Sequence, residues 1–219
     1  MKKFNKGMFA SAALAAAVIG GTAVAAQAAT TYTPTGTSLN FVKTTGLTAV
    51  SFTDIEAGQT LSCSTFSLAN ASSTAVISSG TSRAYGAAGA TLPTITSSGC
   101  TNPLAGATTV TPTGTWGVTV TGDKVGTVVP ARLTSVAANL SAANCNFSIG
   151  GVVNGKFDTS NQRFTPNTGA SGLTITNIPA GTPSAPQTMC TTLDLVVGDT
   201  ISVSGSWTNS GGALAVTTP

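Results

Sequence analysis

Histidine is missing from this chain altogether, and charged residues make up only 7% of it. Without imidazole the usual general base and the commonest metal ligand are gone, which excludes Ser-His-Asp and Cys-His catalysis. Sparse charge with no basic cluster also removes the electrostatic footprint that nucleic acid requires. Aromatics, at 5%, are too few to build the two girdles of an outer-membrane barrel. The four cysteines form no close pair of the zinc-knuckle kind, no loop alternates acids as a calcium loop does, and no cofactor motif is present. From Ala29 onward there is no convincing amphipathic helix, no apolar run able to span a bilayer, and no fixed solenoid period of roughly 20 to 25 residues.

What is there begins with a leader. Lys2, Lys3 and Lys6 precede an uncharged run from Gly7 to Ala26, which closes with Ala26-Gln27-Ala28. This is the layout of a secretory signal peptide over residues 1–28, with cleavage after Ala28 and export as the consequence. Removing the leader leaves Lys43, Arg83, Lys124, Arg132, Lys156 and Arg163 against Asp54, Glu56, Asp123, Asp158, Asp194 and Asp199, a net charge of zero. Such neutrality lacks the self-repulsion that keeps proteins apart and suits a chain that associates with itself.

Cys63, Cys100, Cys145 and Cys190 all lie beyond the leader, and an even count in an exported chain reads as two structural disulfides. Three pairings are open. An internal echo favours one of them: Cys63-Ser64-Thr65-Phe66-Ser67 is answered by Cys145-Asn146-Phe147-Ser148, and Leu92-Pro93-Thr94-Ile95-Thr96 before Cys100 is answered by Leu173-Thr174-Ile175-Thr176 before Cys190. If equivalent cysteines play equivalent parts, the bridges are Cys63–Cys100 and Cys145–Cys190.

Short β-branched or alternating runs recur between Gly, Pro, Asn and Ser punctuation, which is a β signature. Strands are expected over Ser38–Val42, Thr48–Phe52, Thr60–Leu68, Ser73–Ser78, Ala90–Thr96, Ala107–Thr113 and Gly117–Thr121. Others are expected over Lys124–Val129, Arg132–Ala137, Cys145–Phe157, Gly172–Ile178, Thr188–Val196 and Thr200–Thr208. Turns are expected at Ala57-Gly58, Gly122-Asp123, Gly198-Asp199 and, most strongly, Asn154-Gly155, whose residues tolerate the positive φ of a type I′ hairpin. The last strand alternates, with Ile201, Val203, Gly205 and Trp207 on one face and Ser202, Ser204 and Ser206 on a wet one. The expected fold is all-β, an antiparallel β-sandwich or jelly-roll-like single domain, with a Thr-rich arm or strand over residues 29–45 ahead of a sandwich over 46–219.

Few residues offer chemistry. Asp54 and Glu56 could form a carboxylate pair, but two acids beside a turn read first as a solvated loop, and Asp199 reads as a turn former. Trp116 is a possible platform for stacking sugars; Trp207, which shares a face with Ile201 and Val203, reads as core.

The segments Ser98-Gly99-Cys100-Thr101-Asn102-Pro103-Leu104, Val110-Thr111-Pro112-Thr113-Gly114-Thr115-Trp116, Cys145 through Phe157 and Asp199 to Trp207 cover much of the chain beyond the leader. Together they resemble the exported bacterial PraB-like family, also called "activator of alkane oxidation". The resemblance implies a small cell-surface or biofilm-associated β-protein, and the residues themselves offer no catalytic constellation and call for no cofactor. Some exported β-domains of this general kind polymerise by lending a strand to a neighbour. The arm, with Tyr32, Leu39, Phe41 and Val42, could complete the sheet of the next subunit, or serve as the first strand of its own domain. The expected partner is therefore another copy of the chain. The alternative is a binding module for extracellular or cell-wall polysaccharide, and an enzyme comes last.

Overall fold

A computed structural model describes residues 29–68 and 76–219. The expected leader over 1–28, and the first half of the strand expected over Ser73–Ser78, lie outside the described residues. The first strands are β1 (Thr31–Thr35), β2 (Phe41–Lys43), β3 (Val50–Asp54), β4 (Thr60–Leu68), β5 (Val76–Ile77) and β6 (Arg83–Ala84). Next come β7 (Ala88–Leu92), β8 (Ile95–Asn102), β9 (Gly106–Pro112), β10 (Trp116–Val120), β11 (Val128–Ala142) and β12 (Cys145–Asp158). After β13 (Arg163–Pro166) and β14 (Ala170–Asn177) stands a short helix, α1 (Thr188–Thr192), and the chain ends with β15 (Thr200–Ser204), β16 (Trp207–Asn209) and β17 (Ala215–Thr217). The named strand pairings are antiparallel, as the all-β expectation required.

The long pair β11–β12 runs through two halves of the fold. In one half the pairings β12-β14-β15-β3-β4-β8-β9-β11 return to β12, an eight-stranded circuit with no edge. In the other half the order is β5-β7-β10-β11-β12-β13-β16-β2, and β2 reaches back to β4 through Phe41 and Leu68. A small sheet, β17-β1-β6, contributes Tyr32 and Val216 to the same core, and Leu214 joins them from just before β17.

One extra residue lets β11 serve both halves. Its buried positions are Val129, Ala131 and Leu133, then Val136, Ala138, Leu140 and Ala142, so the buried parity changes between Leu133 and Val136. There Thr134 and Ser135 stand opposite Val152 alone, and Ser135 takes the left-handed conformation. A strict period of two would have sent half of this strand's apolar side chains to solvent; the bulge restores them to the core. The sequence suggests two strands here, Lys124–Val129 and Arg132–Ala137, with a gap at Pro130-Ala131, but both of those residues are ordinary ladder positions of β11, opposite Lys156 and Gly155. The structure has a tight Val125–Val128 turn followed by one continuous strand.

Three further expectations are corrected. Asn154-Gly155 is not a turn but the middle of β12, paired with Arg132 and Ala131; the hairpin turns at Ala143-Asn144 instead. Asn154 is held there by Arg132, which donates to its side-chain oxygen at 2.7 Å, while its own amide donates to Ser171 O. Gly155 is needed for close approach, since a Cβ would sit 2.5 Å from Thr165 O. The segment expected as a strand over Thr188–Val196 opens with α1, tethered through Cys190. The run Thr200–Thr208 breaks at Gly205 (φ +119), and Ser206, expected on the wet face, is buried and donates to Thr44 Oγ1 at 2.9 Å.

The two disulfides pair as the echo suggested, Cys63–Cys100 and Cys145–Cys190. In the chain-entropy model each is worth roughly 4 kcal/mol. Their settings differ. Cys63 and Cys100 are register partners on β4 and β8, whereas Cys145 at the start of β12 holds the helix. Between the halves the aromatic core centres on Phe66, with ring centroids 5.2 Å from Phe52, 6.3 Å from Trp116 and 6.2 Å from Trp207. The buried Trp207 indole donates to Phe66 O at 2.8 Å, so a C-terminal strand is bonded to an N-terminal one inside the core.

Gly151 adopts φ +134, and a Cβ there would lie 2.3 Å from Gly172 O. Gly151→Ala is expected to lower stability by roughly 2–4 kcal/mol, from backbone strain and the forced separation of β12 from β14. Urea unfolding checks this; an unchanged midpoint would refute the close approach of β12 to β14 at Gly151.

Candidate functional site

The arm lies against its own domain. Tyr32, Leu39 and Phe41 are buried, while Val42 is half-buried on the short strand β2. β1 sits between β6 and β17, with Tyr32 beside Arg83 and Thr33 beside Thr217. The Tyr32 hydroxyl donates to Ala87 O at 2.6 Å, and its ring stacks on Tyr85 with centroids 6.3 Å apart. Burial pushes the Tyr32 phenol above its ordinary pKa. Phe41 meets Phe157 edge-on at 6.0 Å.

Trp116 is only 3% exposed; its indole donates to Thr113 O at 3.3 Å and its ring faces Phe66. A sugar could stack on it only by entering the core, so the proposed platform is corrected to a core residue. Trp207 is buried in the core, as its sequence neighbours suggested, although it stands on β16 and not on the strand of Ile201 and Val203.

Asp54 departs most from the sequence reading. It ends β3 and is buried, 3% exposed, rather than part of a solvated loop. The β3–β4 turn folds around it: Oδ1 accepts from the Ala57 N–H at 2.9 Å, and the Gly58 N–H donates to its backbone carbonyl at 3.0 Å. Oδ2 is buried with no hydrogen-bond partner. Glu56 is directed elsewhere, accepting from the Thr200 N–H at 2.7 Å, which holds it below its ordinary pKa. Asp199 accepts from the Val196 N–H at 2.6 Å in the turn before β15. Burial pushes Asp54 above the ordinary carboxylate range; the Ala57 N–H opposes the rise, and the negative charges of Asp199 and Glu56 add to it.

Asp54 lines a cavity of about 50 Å³ at one end of the eight-stranded circuit, walled mainly by apolar side chains of β3, β4, β11, β12, β14 and β15. Leu193 and Leu195, which follow α1, close its side, and the Cys145–Cys190 bridge anchors that segment. Sequence reasoning noticed Asp54 but not its burial, because the residues that cover it come from strands far along the chain. A quite different surface lies outside the circuit, where Thr111, Asn139, Ser148 and Asn177 are register partners across β9, β11, β12 and β14. They line a groove of about 350 Å³. Among the described residues no three His, Cys, Asp or Glu side chains gather as metal ligands, and no helix is long and apolar enough to cross a membrane.

Fold and site together define an all-β, sandwich-like, doubly disulfide-bonded domain, and the disulfides point to an oxidising environment. No protein-family model, curated protein or solved structure matches the chain.

The pH dependence of stability follows from Asp54. Its folded pKa lies above the unfolded value near 3.8. Its contribution is therefore full below that value and is lost as the pH rises through the folded pKa. Asp54→Asn is expected to be more stable than the parent at neutral pH, with the two converging as the pH falls toward 3.8. Urea midpoints across this window check it, and a difference independent of pH would contradict it.

Proposed function

We propose that the chain is an exported, non-catalytic structural protein, a subunit of a cell-surface or biofilm-matrix filament that assembles by exchange of its N-terminal strand. The observation that carries this reading is the placement of β1 as the middle strand between β6 and β17, near both chain ends. The arm brings Tyr32, Leu39 and Phe41 into the core, and removing β1 would bare two strand edges and the pocket around Tyr32. An equivalent arm from a neighbour would restore the same hydrogen bonds and the same burial, so exchange demands no new surface. The net charge of zero beyond the leader, the disulfides and the resemblance to the PraB-like family favour the same reading. With no histidine in the chain, the reading assigns it no reaction.

Thr33 and Thr217 are register partners at the rim of the small sheet, which makes them a direct test. In assembled protein the double variant Thr33→Cys/Thr217→Cys should give a covalent ladder of multimers on a non-reducing denaturing gel. A monomer band alone, from protein that still assembles, would reject strand exchange.

A second reading, a module for neutral polysaccharide, is favoured by the outer groove. Thr111, Asn139, Ser148 and Asn177 present hydroxyls and amides without charge, the donors and acceptors that sugar hydroxyls need. On this reading Asn139→Ala and Asn177→Ala together reduce retardation in a polysaccharide-containing native gel about ten-fold. Retardation unaffected by the pair would exclude the groove.

A further inference from the structure

A buried carboxylate oxygen without a partner is costly, and in a native structure it calls for a specific explanation. Asp54 Oδ2 is such an atom, and it borders the cavity at the end of the eight-stranded circuit. Its fellow Oδ1 is already satisfied by Ala57, and the polar neighbour Asn102 is committed, donating to Thr60 O and accepting from the Leu104 and Ala105 N–H groups. Of the other polar side chains lining the cavity, Thr108 donates to Gly106 O and Gln59 makes no bond to Oδ2, so a donor that enters the cavity would supply the missing partner.

The surroundings narrow its chemistry. The charged groups that act on Asp54 are Glu56 and Asp199, both acids, so the local field favours a cation. A metal ion would require several oxygen ligands, and no three candidate ligands gather here among the described residues. The walls, with Leu61, Ile149, Ile175, Leu193 and Ile201, are apolar and suit a hydrocarbon chain. A volume of about 50 Å³ admits about four water-sized groups, on a scale of roughly 10–15 Å³ for each.

We propose that this cavity binds a small primary alkylammonium ion, its ammonium donating to Asp54 Oδ2 and its short aliphatic chain lying against Leu61, Ile149 and Leu193. The carboxylate supplies the charge-assisted hydrogen bond, and the apolar walls select for a carbon chain over the bare ammonium ion. The site is independent of filament assembly, since it lies away from β1 and uses none of its residues.

The test is an NMR amide-shift titration of the folded chain with n-propylammonium near neutral pH, with n-propanol and ammonium chloride as comparators. Saturable shifts are expected at Asp54 and across the Leu193–Leu195 segment, with affinity at least ten-fold above either comparator. Asp54→Asn should weaken binding ten-fold or more, and Ala105→Phe, which adds bulk to the cavity lining, should weaken it as well. Non-saturating shifts, an equal response to n-propanol, or undiminished affinity in Asp54→Asn would overturn the proposal and leave Oδ2 to a buried water.

Discussion

The pairing of β11 with β12 is the interaction on which the rest of the structure depends. These two strands, 15 and 14 residues long, are far longer than the rest of the sheet demands. Their shared ladder runs from Val128↔Asp158 to Ala142↔Cys145. Near the hairpin they carry β9 and β14; near their open end they carry β10 and β13. The bulge at Thr134-Ser135 makes this dual use possible, because an unbroken period of two would turn the apolar side chains of one half to solvent. Around the junction the core is aromatic, and the buried Trp207–Phe66 hydrogen bond joins strands that the chain order sets far apart.

A chain so poor in charge satisfies its polar groups with hydroxyls, amides and backbone. Ser51 with Ser62 and Thr53 with Thr60 pair across β3 and β4 at 3.0 and 2.9 Å, and Thr44, Ser206 and Thr208 form a small hydroxyl network beside β16. Against that background Asp54 is conspicuous as a buried acid with half its carboxylate unmatched. The circuit is sealed by strands along its sides, so its end is where a ligand could enter. There the Cys145–Cys190 bridge does more than constrain the unfolded chain. It fixes the short helix and the leucines after it, which complete the apolar wall.

The N-terminal arm shows why a folded monomer and an exchanged polymer are compatible readings of one set of contacts. β1 joins two strands by main-chain hydrogen bonds and brings a tyrosine into the core, none of which depends on which copy of the chain supplies it. Chain connectivity favours the intramolecular arrangement by effective concentration, whereas a crowded surface favours the exchanged one by mass action.

The sequence by itself determined the class of fold and the cysteine framework. Alternation at Ile201 and Val203 announced the half-buried strand β15, and the echo around Cys63 and Cys145 favoured the pairing that the structure shows. These features are local or repeated, so they survive in the order of residues. The tertiary structure alone decided what each local freedom is used for. Asn154-Gly155 has the conformational licence for a hairpin, yet Gly155 serves the close passage of Thr165 and Phe164. The turn at Asp54 looks like any solvated loop until β8, β14 and β15 close around it. Burial, strand continuity through a bulge and the partner of a buried oxygen are set by residues far along the chain, and no window of neighbouring residues contains them.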